Sequence, residues 1–278
     1  MTTTDRTILV LGGGGVKGIT HVGAWRALRE AGVEVAEVVG TSIGSLVGAA
    51  IAGGASVGLL DERARALRKQ DIVDINRWAL LPNGVRQKSI FRGEALRSYI
   101  ERVLPVAEWS ELAIPLSVNA VDLETGNMLW FGAGGRTDVP LRRAVYASSA
   151  LPVFYPPAEV NGMHLVDGGI MDAVPITRAA DRGADRIIAV NPSSGRVKDA
   201  ADTVEKGMIS IHHRVVNIMS YARRAVVEDM WMSCPVVHVR PRLDGHSTFD
   251  FDAIPYFLEE GYRATMAALE RASLSGAG

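Results

Sequence analysis

One cysteine, Cys234, stands in a chain of 278 residues, so no intrachain disulfide can form and the fold has to be held by its apolar core. An excess of either charge is also missing. The 30 basic residues are matched by 31 acidic ones, which leaves no global field to draw nucleic acid. Attraction to an anionic surface would have to be local. No paired histidines at helical spacing stand beside an acid, and there is no second cysteine, so neither a metal nor another cofactor is expected. The opening Met1-Thr2-Thr3-Thr4-Asp5-Arg6 has no apolar signal region, and the expected location is the cytoplasm, with peripheral contact at a membrane left open. Internal repeats, low-complexity tracts and linkers are absent as well. With 47% hydrophobic residues, one domain over residues 1–278 is the simplest division.

Long uncharged runs are scarce, and the one at 43–60 reaches the length of a membrane span. It contains five glycines and two serines, and Gly53-Gly54 would weaken a helix at its middle. A small-residue helix packed tightly on a sheet is the better account.

What the chain does have is glycine in two special places. Leu11-Gly12-Gly13-Gly14-Gly15-Val16-Lys17-Gly18 and Gly40-Thr41-Ser42-Ile43-Gly44 each follow a short apolar run and each open a helical pattern. A glycine loop turns backbone N–H groups into open space, where they can hold an oxygen carrying negative charge. A Gly-x-Ser-x-Gly turn between strand and helix lifts a serine hydroxyl above the sheet edge. Together they suit acyl transfer, with a nucleophile from one turn and an oxyanion hole from the other. A dinucleotide site would want an acid at the end of the second strand, which here ends in Val38-Val39-Gly40. A phosphate-binding P-loop would want Ser or Thr after Gly-Lys, but the order is Lys17-Gly18-Ile19.

Strands are expected at 7–11, 35–39, 115–121, 128–131, 164–166, 186–190 and 236–239, and helices at 17–31, 56–70, 91–104, 140–150, 175–182, 204–232 and 254–269. The βα–βα opening predicts an α/β fold with a mostly parallel sheet covered on both faces. In the helix over 204–232, Met208, Ile211, Val215, Ile218, Ala222 and Val226 form one stripe, expected to pack on the sheet in preference to lying on a membrane.

At the glycine loop and the serine turn the chain resembles the patatin-like phospholipases, in their bacterial and neuropathy-target-esterase-like branch. Ala147-Ser148-Ser149-Ala150-Leu151-Pro152, Asp167-Gly168-Gly169 and the Phe249-Asp250-Phe251-Asp252 tail extend the likeness over most of the chain. The resemblance implies a three-layer α/β/α sandwich and a Ser-Asp dyad, with Ser42 as nucleophile and Asp167 as general base. It implies oxyanion N–H groups from Gly13, Gly14 and Gly15, and supporting roles for Lys17, Gly18, Gly40, Gly44, Gly168 and Gly169. Gly168 and Gly169 would give the aspartate turn its freedom. Lys17 would steady the loop or meet a headgroup phosphate. The implied activity is a lipid acyl hydrolase, a phospholipase A or lysophospholipase type of carboxylic ester hydrolase acting on fatty-acyl esters. The alternative is a non-catalytic lipid- or nucleotide-binding protein that retains the glycine loop. Gly12, Val153 and Ala173 depart from common family residues without touching the dyad.

A histidine base remains a competing reading of the residues, because Ser42, Asp167 and His238 or His246 follow the chain order of the α/β-hydrolases. The segment 71–92 is the least regular. Arg77, Arg86, Lys88 and Arg92 interleave there with Trp78, Leu80, Leu81 and Phe91, a pattern that suits either a cap opening against an anionic bilayer or a loop covering the core.

Overall fold

The computed structural model describes residues 5–81, 86–193, 200–205 and 207–275. The chain opens with Thr7–Leu11 (β1), a 3-10 turn at Gly15–Ile19 and Thr20–Glu30 (α1). Glu37–Gly40 (β2) leads into Ile43–Ala52 (α2), Val57–Ala66 (α3), the short Lys69–Ile72 (α4) and Glu94–Val103 (α5). Leu116–Asp122 (β3) and Met128–Gly132 (β4) form a hairpin, followed by Leu141–Ser149 (α6), Ala158–Val160 (β5) and Met163–Asp167 (β6). The last third holds Ile176–Asp181 (α7), Arg186–Val190 (β7), Ala200–Glu205 (α8), Met208–Asp229 (α9), Val236–Val239 (β8) and Ile254–Ser275 (α10).

These strands make one sheet in the order β5-β6-β3-β2-β1-β7-β8, with β4 also beside β3. Parallel pairing joins β1 to β2 and β7, β2 to β3 and β7 to β8, whereas β4 and β6 run antiparallel to β3. The expected mostly parallel sheet is therefore present. Alternation along β1 shows why both faces are covered: Leu9 and Leu11 enter the larger core, and Ile8 and Val10 enter a second core with Val174, Ile176 and Ala179 around α7. Helices on either face complete a three-layer α/β/α sandwich.

The uncharged run at 43–60 breaks at Gly53-Gly54 into α2 and α3, and α2 lies buried against the sheet. Among the described residues no helix is long and apolar enough to cross a membrane. The edge strand β5 was not expected, since Pro156 and Pro157 precede it and it is only three residues long.

The helix expected at 204–232 is narrower, α9 running Met208–Asp229 with residues 204–205 in α8, and it does not pack as expected. The stripe predicted to cover the sheet faces solvent, with Met208 76% and Val226 58% exposed and Val215 and Ile218 close to half exposed. Among the described residues the core reaches α9 near its C-terminal end, where Val227 and the following Trp231 pack on the second cluster. That face of the sheet is already occupied by α7, so little apolar surface remains for the rest of the helix.

Candidate active site

The turn from β2 into α2 is a strained elbow. Ser42 sits at φ 55° and ψ −127°, a conformation that non-glycine residues avoid and that holds the side chain out of the helix. The flanking glycines are there for room. A Cβ on Gly44 would lie 2.0 Å from the Leu11 carbonyl oxygen, and one on Gly40 would lie 2.6 Å from Ser45 Cα. The Ser42 N–H donates to Ser148 Oγ at 2.9 Å, which pins the elbow to the end of α6.

Sheet register brings the aspartate to this serine. Val118 of β3 is paired with Gly40, and Ala120 with Asp167, so the ends of β2 and β6 meet β3 two positions apart. There the Ser42 hydroxyl donates to Asp167 Oδ2 at 2.6 Å. The other carboxylate oxygen accepts the Gly169 N–H at 2.7 Å. Asp167 is buried, and desolvation pushes its pKa up to about 6, with the hydrogen bonds from Ser42 and Gly169 pulling the other way. Conformational freedom is not what Gly168 and Gly169 supply, as neither adopts a positive φ. Gly168 leaves room for Asn119, and Gly169 offers its N–H.

The glycine loop lies beside the dyad, lining the same cavity. Of the three expected oxyanion donors, Gly13 is engaged elsewhere, its N–H bonded to the Ala173 carbonyl at 2.9 Å. The Gly14 and Gly15 N–H groups have no backbone acceptor among the described residues. Gly15 adopts φ +60° against Thr248, a position closed to any residue with a Cβ. Gly18 closes the loop on α2, where a Cβ would strike Ile43. Lys17 lines the cavity, and burial lowers its pKa.

Two contributors were not visible as site residues in the sequence, Ser148 and His21. The His21 ring is fully buried, with Nε2 at 2.8 Å from the Gly12 carbonyl oxygen. That oxygen only accepts, so Nε2 carries the proton, and desolvation lowers the pKa to about 4, keeping the ring neutral. His21 therefore braces the glycine loop from behind.

An apolar cavity of about 700 Å³ runs from the dyad into the molecule. Its inner wall comes from Leu46 and Ala50 of α2, Leu60 and Ala64 of α3, and Leu96 and Val103 of α5. On the outer side Arg214, Asn217 and Arg224 of α9 complete it.

The histidines expected as alternative bases are placed otherwise. His238 lies on β8, its Nδ1 3.8 Å from Glu228, and His246 is bonded to Asp250 at 2.7 Å. Among the described residues no histidine lines the cavity; the His213 side chain lies outside the description. The segment 71–92 divides. Phe91 is buried against Tyr155 and Phe249, whereas Trp78 is 67% exposed and Leu81 half exposed, and neither of the latter two lines the cavity. The Leu80 side chain and residues 82–85 lie outside the described residues. Among the described residues no cluster of potential metal ligands occurs.

Fold and site define an α/β/α sandwich with a serine elbow, a buried carboxylate and a glycine loop around one apolar cavity. The sequence model of the Patatin-like phospholipase family matches residues 9–180, and the chain belongs to that family. It is 34% identical over 203 residues to an uncharacterized NTE family protein of Mycobacterium tuberculosis, covering 72% of this chain and 52% of that protein. It is 31% identical to human patatin-like phospholipase domain-containing protein 6, over 94% of this chain but 20% of that protein. A fungal relative, lysophospholipase NTE1 of Scheffersomyces stipitis, is 28% identical over 87% of this chain and 16% of its own length. The chain thus spans about half or less of the curated relatives. Among solved structures, VipD from Legionella pneumophila superposes with a TM-score of 0.53 at 15% identity, covering 96% of this chain and 67% of VipD, a likeness of fold.

Proposed function

We propose that this protein is a serine acyl hydrolase that cleaves fatty-acyl esters of phospholipids or lysophospholipids, its residues 1–278 forming one catalytic domain. The observation that carries the reading is the 2.6 Å hydrogen bond from Ser42 to the buried Asp167 at the head of an apolar cavity. An acyl chain fits the apolar inner part of this cavity, between α2, α3 and α5. The family and the fungal relative's name, lysophospholipase NTE1, support the substrate class.

Ser42 Oγ attacks the ester carbonyl carbon while its proton passes to Asp167 Oδ2. The carbonyl oxygen, now negative, is held by the Gly14 and Gly15 N–H groups; a single such donor is commonly worth about 10²–10³ in rate. The intermediate collapses, the bond to the leaving oxygen breaks, and Asp167 returns the proton to that alcohol. Water then attacks the carbonyl carbon of the acyl-serine, giving a proton to Asp167; the intermediate collapses, the carbon–Oγ bond breaks to release the fatty acid, and Asp167 returns the proton to Ser42 Oγ. Lys17 stands at the cavity wall where a headgroup phosphate could meet it.

A fluorophosphonate probe tests this reading. Covalent label on the folded wild type and none on Ser42→Ala is the expected result. Folded wild-type protein that takes no label and hydrolyses no ester would leave the non-catalytic lipid-binding alternative.

A further inference from the structure

We propose that helix α9 is a docking surface for an anionic lipid bilayer, its outer face lying in the headgroup layer while its inner face forms a wall of the Ser42 cavity. The consequence for catalysis rests on the lipid-ester reading above; the docking itself does not.

Positions 208, 211, 215, 219, 222 and 226 recur at helical spacing and carry Met208, Ile211, Val215, Met219, Ala222 and Val226. All of them are exposed, Met219 at 64%. A continuous apolar face of this kind on the outside of a folded chain marks an interaction surface. The partner is indicated by charge. From Met208 to Val227 there is no aspartate or glutamate, and Arg223 is exposed beside the apolar residues, whereas Arg214 and Arg224 turn toward the cavity. An apolar face with a basic residue alongside and no acid suits an interfacial helix on a negatively charged membrane. A second copy fits less well, because the same face on a partner would offer Arg223 no acid from Met208 to Val227.

Position gives the surface its use. Arg214, Asn217, Ile218 and Arg224 line the cavity that reaches Ser42 and Asp167. Helix α9 also packs on the turn that follows Asp167. A bilayer held against the outer face would therefore lie within one helix thickness of the cavity, about 10 Å, and a lipid leaving it would pass α9 to reach the serine.

The test is co-sedimentation with phosphatidylcholine vesicles, with and without phosphatidylglycerol, on the full chain carrying Ser42→Ala so that turnover plays no part. Wild-type α9 should bind the anionic vesicles, and binding should weaken as salt is raised. Val215→Ser with Met219→Ser and Val226→Ser should lower that binding at least about tenfold, because each apolar side chain kept in water removes a factor of several. In the active background the same triple variant should hydrolyse a short soluble ester as wild type does. Arg223→Glu, which leaves the stripe intact, should weaken binding to anionic vesicles only, and so guards against a folding defect in the triple variant. Unchanged binding of both variants would overturn the proposal. So would a wild-type dimer that the triple variant dissolves without any affinity for vesicles. If no fluorophosphonate label forms but vesicle binding still depends on α9, the docking stands and the hydrolase reading falls.

Discussion

Asp167 keeps a carboxylate where water hardly reaches, at 3% exposure, and the two demands on it conflict. As the proposed base it must be ionised, yet burial pushes its pKa up to about 6. Activity should therefore fall as pH drops through about 6, because protonated Asp167 cannot take the Ser42 proton. Stability should run the other way. An unfolded aspartate ionises near 3.9, so between about 4 and 6 the folded chain holds the proton more tightly. The stability this provides is fully present below about 4 and is lost as pH rises through about 6, an order of ~3 kcal/mol by linkage. Asp167→Asn is accordingly expected to cost about 10²–10⁴ in kcat while leaving denaturant stability at neutral pH equal to or above wild type. The activity limb overlaps the range of an ordinary imidazole, so the pH profile alone does not identify the base. His238→Ala and His246→Ala do, since those rings meet Glu228 and Asp250 and both variants should retain activity.

Helices α2, α3 and α5 contribute a surface as well as support, because their facing side chains bound the cavity. Ala64 of α3 lines it and is only 3% exposed to bulk solvent. Ala64→Phe would place a ring in the space an acyl chain is proposed to fill. The expected outcome is a fall of about tenfold or more in kcat/KM for long-chain esters, with short-chain esters near wild type. Melting temperature separates this from overpacking: an equal loss on both substrates together with a lower Tm would mean that the ring has displaced the helix.

Across the whole molecule, the sheet is tied by one buried acid at the end of β2 away from Ser42. Glu37 is fully buried, accepts from Arg6 at 2.7 Å and Arg182 at 2.8 Å, and lies 3.3 Å from Ser117 Oγ. It thus joins the segment before β1, β2 itself, β3 and the end of α7. Glu37→Gln should cost about 1–3 kcal/mol in denaturant unfolding. That is less than a fully buried pair would lose, because both arginines retain some contact with water. Activity per folded molecule should not change, as the elbow lies at the other end of the strand.

The local pieces were legible in the sequence: most of the strands and helices, the glycine loop, and the elbow at Ser42. In each the constraint acts within a few residues, through hydrophobic period or through the absence of room for a Cβ, and so it is written in consecutive letters. Asp167, 125 residues from Ser42, could be assigned to the serine only by family likeness, and sheet register is what places it there. Tertiary structure alone decided that Gly13 gives its N–H to Ala173, that His21 and Ser148 brace the loop and the elbow, and that the α9 stripe faces outward. The reason is common to all three. A donor or an apolar stripe states what it needs, but whether that need is met by a neighbour, by water or by another body depends on which distant elements have already taken the space.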